Sequence, residues 1–116
     1  MEFLELIQHF LPEGVLEYFD VTNIKDEKNK IIIHLEEKPK FPNEFKDRKL
    51  HSHGFFKEFD IDDFPIRRKA CILRVKRRRW LDPKTSEIVS RDWNLVALGT
   101  RMTSEFALFL NKFSRF

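Results

Sequence analysis

Apolar positions recur along this chain with two periods, and the change of period separates helix-like ends from a strand-like middle. Phe3, Leu4, Ile7, Phe10 and Leu11 fall at i, i+3/i+4, i+7 spacing with Glu2, Glu5 and Gln8 between them. That spacing predicts an amphipathic helix over 2–11. Glu2 and Glu5 suit the positive end of its dipole. Pro12 breaks or restarts the helix and Glu13-Gly14 reads as a corner. A second short helical turn runs through Val15, Leu16 and Phe19, so the first helical segment covers about 2–19.

From Asp20 the period drops to two. Asp20–Lys25 and Lys30–Glu37 read as a β-hairpin, with Ile31, Ile33 and Leu35 alternating in its second strand. Asp26-Glu27-Lys28-Asn29 supplies the turn. Lys38–Lys49, which holds Pro39 and Pro42, is a loop. An extended run from Leu50 carries Phe55, Phe59 and Ile61, with Gly54 suited to a bulge, and Asp62-Asp63-Phe64-Pro65 closes it as a turn. Ile66–Trp80 reads as one strand, with Cys71, Leu73 and Val75 on one face and Arg74, Lys76 and Arg78 on the other. After a turn at Asp82–Ser86, Ile88–Val96 returns as its partner, carrying Arg91 and Trp93. Thr103 is a candidate N-cap for a closing helix over about 103–115, whose Phe106, Phe109, Leu110 and Phe113 form an apolar stripe. The expected fold class is α+β: one domain over 1–116, with a small antiparallel sheet of about five strands, over about 20–97, flanked by an N-terminal and a C-terminal helix.

Charge adds what periodicity leaves out. Over residues 1–60 there are 9 basic and 13 acidic side chains, net −4; over 61–116 there are 13 basic and 6 acidic, net +7. The whole chain carries +3, so its basicity lies entirely in the second half. The lone Cys71 excludes an internal disulfide and a cysteine-rich zinc site, and it fits a reducing compartment. No apolar run approaches the ~20 residues that cross a bilayer. The first ten residues hold no Lys or Arg, so they lack the basic region of a signal peptide. These features predict a cytoplasmic protein with no membrane partner, nucleoid-associated if it binds DNA.

The second half concentrates its cations. Arg67, Arg68, Lys69, Arg74, Lys76, Arg77, Arg78 and Arg79 place eight within 13 residues, and Trp80 follows directly. On a strand, same-face residues repeat about every 6.6 Å, close to the separation of successive phosphates along a nucleic-acid strand. Arginine predominates, and its planar fork suits phosphate or guanine. Trp80 and Trp93 are candidates to stack on a base, or to close a core edge. The competing reading is a solvated face balanced by acidic neighbours, with Asp62, Asp63, Asp82 and Asp92 close in sequence.

Other chemistry is thinner. His51 and His53 form a possible metal pair, but the further candidates His9, His34 and Cys71 are scattered, so no metal site and no cofactor are expected. Asp60, Asp62 and Asp63 read as turn formers rather than a catalytic carboxylate cluster. Cys71 reads as a small core residue. Three separated glycines make no phosphate-cradling loop, and no nucleophile–base pair stands out, so no catalytic residue is assigned.

Several blocks carry a resemblance. Phe3-Leu-Glu-Leu-Ile7, Phe10-Leu-Pro-Glu-Gly14, Asp63-Phe-Pro-Ile-Arg67, Lys76-Arg-Arg-Arg-Trp80, Arg91-Asp-Trp-Asn-Leu-Val-Ala97 and Gly99-Thr-Arg-Met-Thr-Ser-Glu-Phe106 run through nearly the whole chain. Together they resemble the N-terminal region of a bacterial insertion-sequence transposase of the ISAon type. More remotely, residues 48–110 are similar to transposases in which a zinc ribbon precedes a helix-turn-helix region. Here Trp80 is followed by Leu81-Asp82-Pro83 with no cysteine, so the ribbon's metal site is absent from the pattern.

The resemblance implies a non-catalytic DNA-binding module of transposition that engages the element's ends. Its contacts would come from Arg67, Arg68, Lys69, Arg74, Lys76, Arg77, Arg78, Arg79, Arg91 and Arg101, flanked by Trp80 and Trp93. Catalysis in such families belongs to a separate domain with three metal-binding carboxylates, which is not expected in this chain. A separately encoded catalytic chain is then an expected partner. The alternative is a protein–protein module that docks on that chain or self-associates as a homodimer through the Phe-rich ends.

Overall fold

The structure is a computed structural model and describes residues 3–12, 14–93, 108–110 and 112–115. Strand dominates it. The elements are α1 (Phe3–Ile7), α2 (Val15–Tyr18), β1 (Phe19–Asp26), β2 (Lys30–Glu37), β3 (His51–Phe55), β4 (Phe59–Ile66), β5 (Lys69–Lys76), β6 (Arg78–Asp82) and β7 (Glu87–Val89), with 3-10 turns at Asn43–Phe45 and Lys112–Arg115. They form two sheets: four strands in the order β1-β2-β5-β4, and three in the order β3-β6-β7. The expected α+β arrangement, a five-stranded sheet between two helices, is therefore corrected to two sheets with only short helices among the described residues.

Three local causes explain the difference. Pro12 lacks an N–H and disfavours helical geometry at Leu11, so α1 stops after five residues. Tighter turns follow it, with the N–H of Phe10 donating to the carbonyl of Ile7 at 2.9 Å. The extended run from Leu50 is two strands in different sheets, because the chain leaves pairing at 56–58. The Ile66–Trp80 segment also breaks at Arg77, where it passes from one sheet into the other.

The hairpin of β1 and β2 forms where expected, in antiparallel register from Phe19↔Glu37 to Asp26↔Ile31. β2 then pairs in parallel with β5, and β4 pairs antiparallel with β5. Asp62–Pro65 belongs to β4 rather than to a turn, and a register shift between Asp63 and Ile66 marks a bulge there. The turn falls instead at Arg67-Arg68. In the small sheet a second bulge lies between Ser52 and Phe55, at Gly54 with φ of 69°. β7 covers only Glu87–Val89, so Arg91 and Trp93 lie beyond the strand.

One face of the four-stranded sheet carries the core. Ile33 and Leu35 of β2, Phe59 and Ile61 of β4, and Cys71, Leu73 and Val75 of β5 are buried there under Val15, Phe19, Trp93, Phe109 and Phe113. Trp93 stacks on Phe19 at 5.3 Å, and Phe113 meets Phe59 edge-on at 5.2 Å. Burial pushes the Cys71 thiol up to about 11, helped by the Asp63 charge, so it is an inert core group. Of the expected closing helix, residues 108–110 are helical and Lys112–Arg115 form a 3-10 turn, while 103–107 lie outside the described residues. Among the described residues, no helix is long and apolar enough to cross a membrane.

Candidate nucleic-acid interface

The basic run divides at Arg77. On β5, alternation sends Cys71, Leu73 and Val75 inward and Arg74 and Lys76 to the opposite face, as the spacing predicts. Register then sets their partners. Asp60 of β4 lies directly across from Arg74, and their forked contact measures 2.8 Å and 3.1 Å. That guanidinium holds the Asp60 carboxyl below its ordinary value. Glu36 of β2 stands beside Lys76 in the parallel ladder. At the other end of β5, on the side of Cys71, Leu73 and Val75 rather than that of Arg74, the Lys69 ammonium donates to Asp26. Asp60, Arg74, Glu36 and Lys76 thus make the outward face a mixture of both signs.

β6 begins under different constraints. The Arg78 N–H donates to Glu37 Oε1 at 3.1 Å, and its Nε–H donates to the Glu37 carbonyl at 3.1 Å. Its guanidinium also reaches the Ser52 hydroxyl and lies over the Phe55 ring at 4.6 Å. Arg78 is thereby fixed inward, in the crease between the sheets. Alternation sends Arg77 and Arg79 the other way, and both guanidinium groups lie on Phe56, at 5.4 Å and 5.8 Å. Backbone pairing locks this arrangement: the Phe56 N–H donates to the Arg77 carbonyl at 2.9 Å.

Glu37 is the residue that sequence reasoning missed. It is 1% exposed, and it continues the inward alternation of Ile31, Ile33 and Leu35, which was the available signal. Arg91, itself 5% exposed, sits with its Nε 3.5 Å from Glu37 Oε2 and donates to the Lys40 carbonyl. Burial raises Glu37 above its ordinary value despite the two nearby arginines. Arg48, read as a loop residue, takes both acids of the β6–β7 hairpin, donating to Asp82 at 2.9 Å and to Glu87 at 2.9 Å. Asp82 is thus held by Arg48 and kept from the arginines of β6.

Lys69, Arg74, Arg78 and Arg91, expected to contact phosphates, are each ion-paired with a carboxylate in the fold. Of the two readings of Trp80 and Trp93, their burial, 4% and 7% exposed, matches closure of a core edge; Trp80 meets Phe41 edge-on at 5.7 Å. Arg101 lies outside the described residues. Arg67, Arg68, Lys76, Arg77 and Arg79 form no ion pair among the described residues. Burial lowers the Arg77 guanidinium from its ordinary value, against the opposing pull of the Glu37 charge.

Arg67 and Arg68 form the two-residue loop between the paired Ile66 and Lys69, with φ of 50° and 70°. Both positive values match the hairpin turn that Asn-Gly fills most cheaply, and each non-glycine residue there costs about 1 kcal/mol. The exposed His51 and His53 gain no third metal-ligating side chain among the described residues.

A second surface feature lies on the core side. Phe10, Leu11, Leu16, Phe64, Pro65 and Leu108 line a groove of about 830 Å³, and Phe64 is 81% exposed. Searches against protein-family models, curated proteins and solved structures match nothing.

Proposed function

We propose that this chain is a non-catalytic DNA-binding module of an insertion-sequence transposase. The observation that carries the reading is the segregation of charge along one basic run. Arg74 of β5 is cancelled by Asp60 in register, whereas Arg77, at the joint before β6, and Arg79 on β6 have no ion pair among the described residues and lie against aromatic rings. Two arginines two positions apart in extended chain suit successive phosphates of one DNA strand. Lys76 and the hairpin arginines Arg67 and Arg68 extend the basic surface. The resemblance of the sequence blocks to the ISAon-type N-terminal region adds the biological setting: terminal recognition, with a separately encoded chain supplying catalysis.

Phosphate contacts release counterions, so the logarithm of affinity falls with the logarithm of salt by about 0.9 per contact. Four or five contacts give a slope near −4 for duplex DNA of any sequence. Fluorescence anisotropy of a labelled duplex at low and moderate salt measures it. Absent or salt-independent binding would reject the reading.

The apolar groove favours a second reading, a docking module for another protein. Phe10, Phe64 and Leu108 are large apolar side chains exposed around it, a concentration typical of interaction sites. Sedimentation of the protein with and without Phe64→Asp separates the two: association abolished by that change, without any DNA affinity, would favour docking.

A further inference from the structure

Resting on the DNA-binding reading, we infer that the β4–β5 hairpin tip inserts Arg67 and Arg68 into a narrow, A·T-rich minor groove. Both side chains are exposed at the end of a two-residue loop, the shape of a slender probe. Two carboxylates of the neighbouring β1–β2 turn are paired within the fold: Asp26 with Lys69, and Glu27 with Lys30 at 3.7 Å. The β1–β2 turn braces the tip from the side, through the Ala70 N–H donating to the Asn29 carbonyl at 3.1 Å. The two tip charges are held on a supported ribbon and form no ion pair among the described residues.

The backbone is an independent observation. Both arginines hold positive φ, which L-residues adopt at a cost and which Asn-Gly would satisfy without it. An unfavourable conformation maintained at an exposed tip points to work done by its side chains. Paired arginines fit that work, because a narrow A·T minor groove concentrates negative potential and attracts inserted guanidinium groups. The tip thus supplies a preference among sequences that phosphate contacts cannot.

The test compares two short duplexes of equal length, one A·T-rich and one G·C-rich, against the wild-type chain and the double variant Arg67→Asn, Arg68→Gly. That variant installs the favoured turn, so its Tm rises by several degrees and misfolding cannot explain a loss. The wild type is expected to bind the A·T-rich duplex about tenfold more tightly, and the variant to lose that preference while still binding the G·C-rich duplex. A minor-groove-binding polyamide should displace the wild type from the A·T-rich duplex. Equal wild-type affinity for the two duplexes, or an A·T preference that survives in the variant, overturns the inference and leaves the DNA-binding reading standing. A wild type that binds neither duplex overturns both.

Discussion

The two halves of the basic run share a composition and end in opposite electrostatic states. Arg74 and Lys76 leave β5 on a face where β4 and β2 present Asp60 and Glu36 in register. Arg77, at the joint, and Arg79, on the next strand, lie against the rings of Phe56 and, for Arg77, Phe59, and neither forms an ion pair among the described residues. A cation's availability is decided by what the adjacent strand places across from it, and spacing along its own strand is only the first requirement. Arg77 makes the difference possible, because there the chain exchanges the acid-rich neighbours of the large sheet for the aromatic ones of the small sheet.

The comparison can be broken at the joint. Glu37→Ala removes the acceptor of the Arg78 N–H and the counter-charge of the buried Arg91, at a cost of about 3–5 kcal/mol. Urea unfolding measures this, and a loss below about 1 kcal/mol would show that the sheets are held together otherwise. Glu37→Gln, which keeps an acceptor for Arg78, should fall between the wild type and the alanine variant.

Asp60→Asn sharpens the comparison by making β5 resemble β6. The Arg74 charge is then uncancelled, and the salt slope of DNA binding steepens by about 1. An unchanged slope would place the outward face of the large sheet away from DNA.

The smallest effect lies in pH. Arg74 holds Asp60 below its ordinary value, so the folded value lies below the unfolded one. Its contribution is present above the ordinary aspartate range and is lost as pH falls through the depressed value. Asp60 is 46% exposed, and screening keeps the contribution under ~1 kcal/mol. Urea midpoints of the wild type and Asp60→Asn should converge on acidification. Glu37 has the opposite sign: its raised folded value gives a contribution present below the ordinary glutamate range and lost as pH rises through that raised value.

Much of the local structure was legible in the sequence. Alternation located the β1–β2 hairpin and the inward triplet Cys71, Leu73 and Val75, because both depend on neighbours a few residues away. The division into two sheets was not legible, since the parallel pairing of β2 with β5 and the break at Arg77 are settled by residues far apart in sequence. The polar contacts were hidden for the same reason: 14 positions separate Asp60 from Arg74, and 41 separate Glu37 from Arg78. Trp80 and Trp93 looked available because aromatic side chains beside cations read alike in a core and on a surface. Glu37 was the exception, a carboxylate at an inward step of an apolar alternation, where sequence alone carried the warning.

Under the proposed DNA-binding function, charge state after register, rather than arginine count, selects the residues that would meet DNA. Arg74→Ala and the pair Arg77→Ala, Arg79→Ala should be titrated against one duplex over a range of salt concentrations. The account predicts a slope unchanged by Arg74→Ala and reduced in magnitude by about 2 in the double variant. Equal losses from both, or a loss confined to Arg74→Ala, would contradict it.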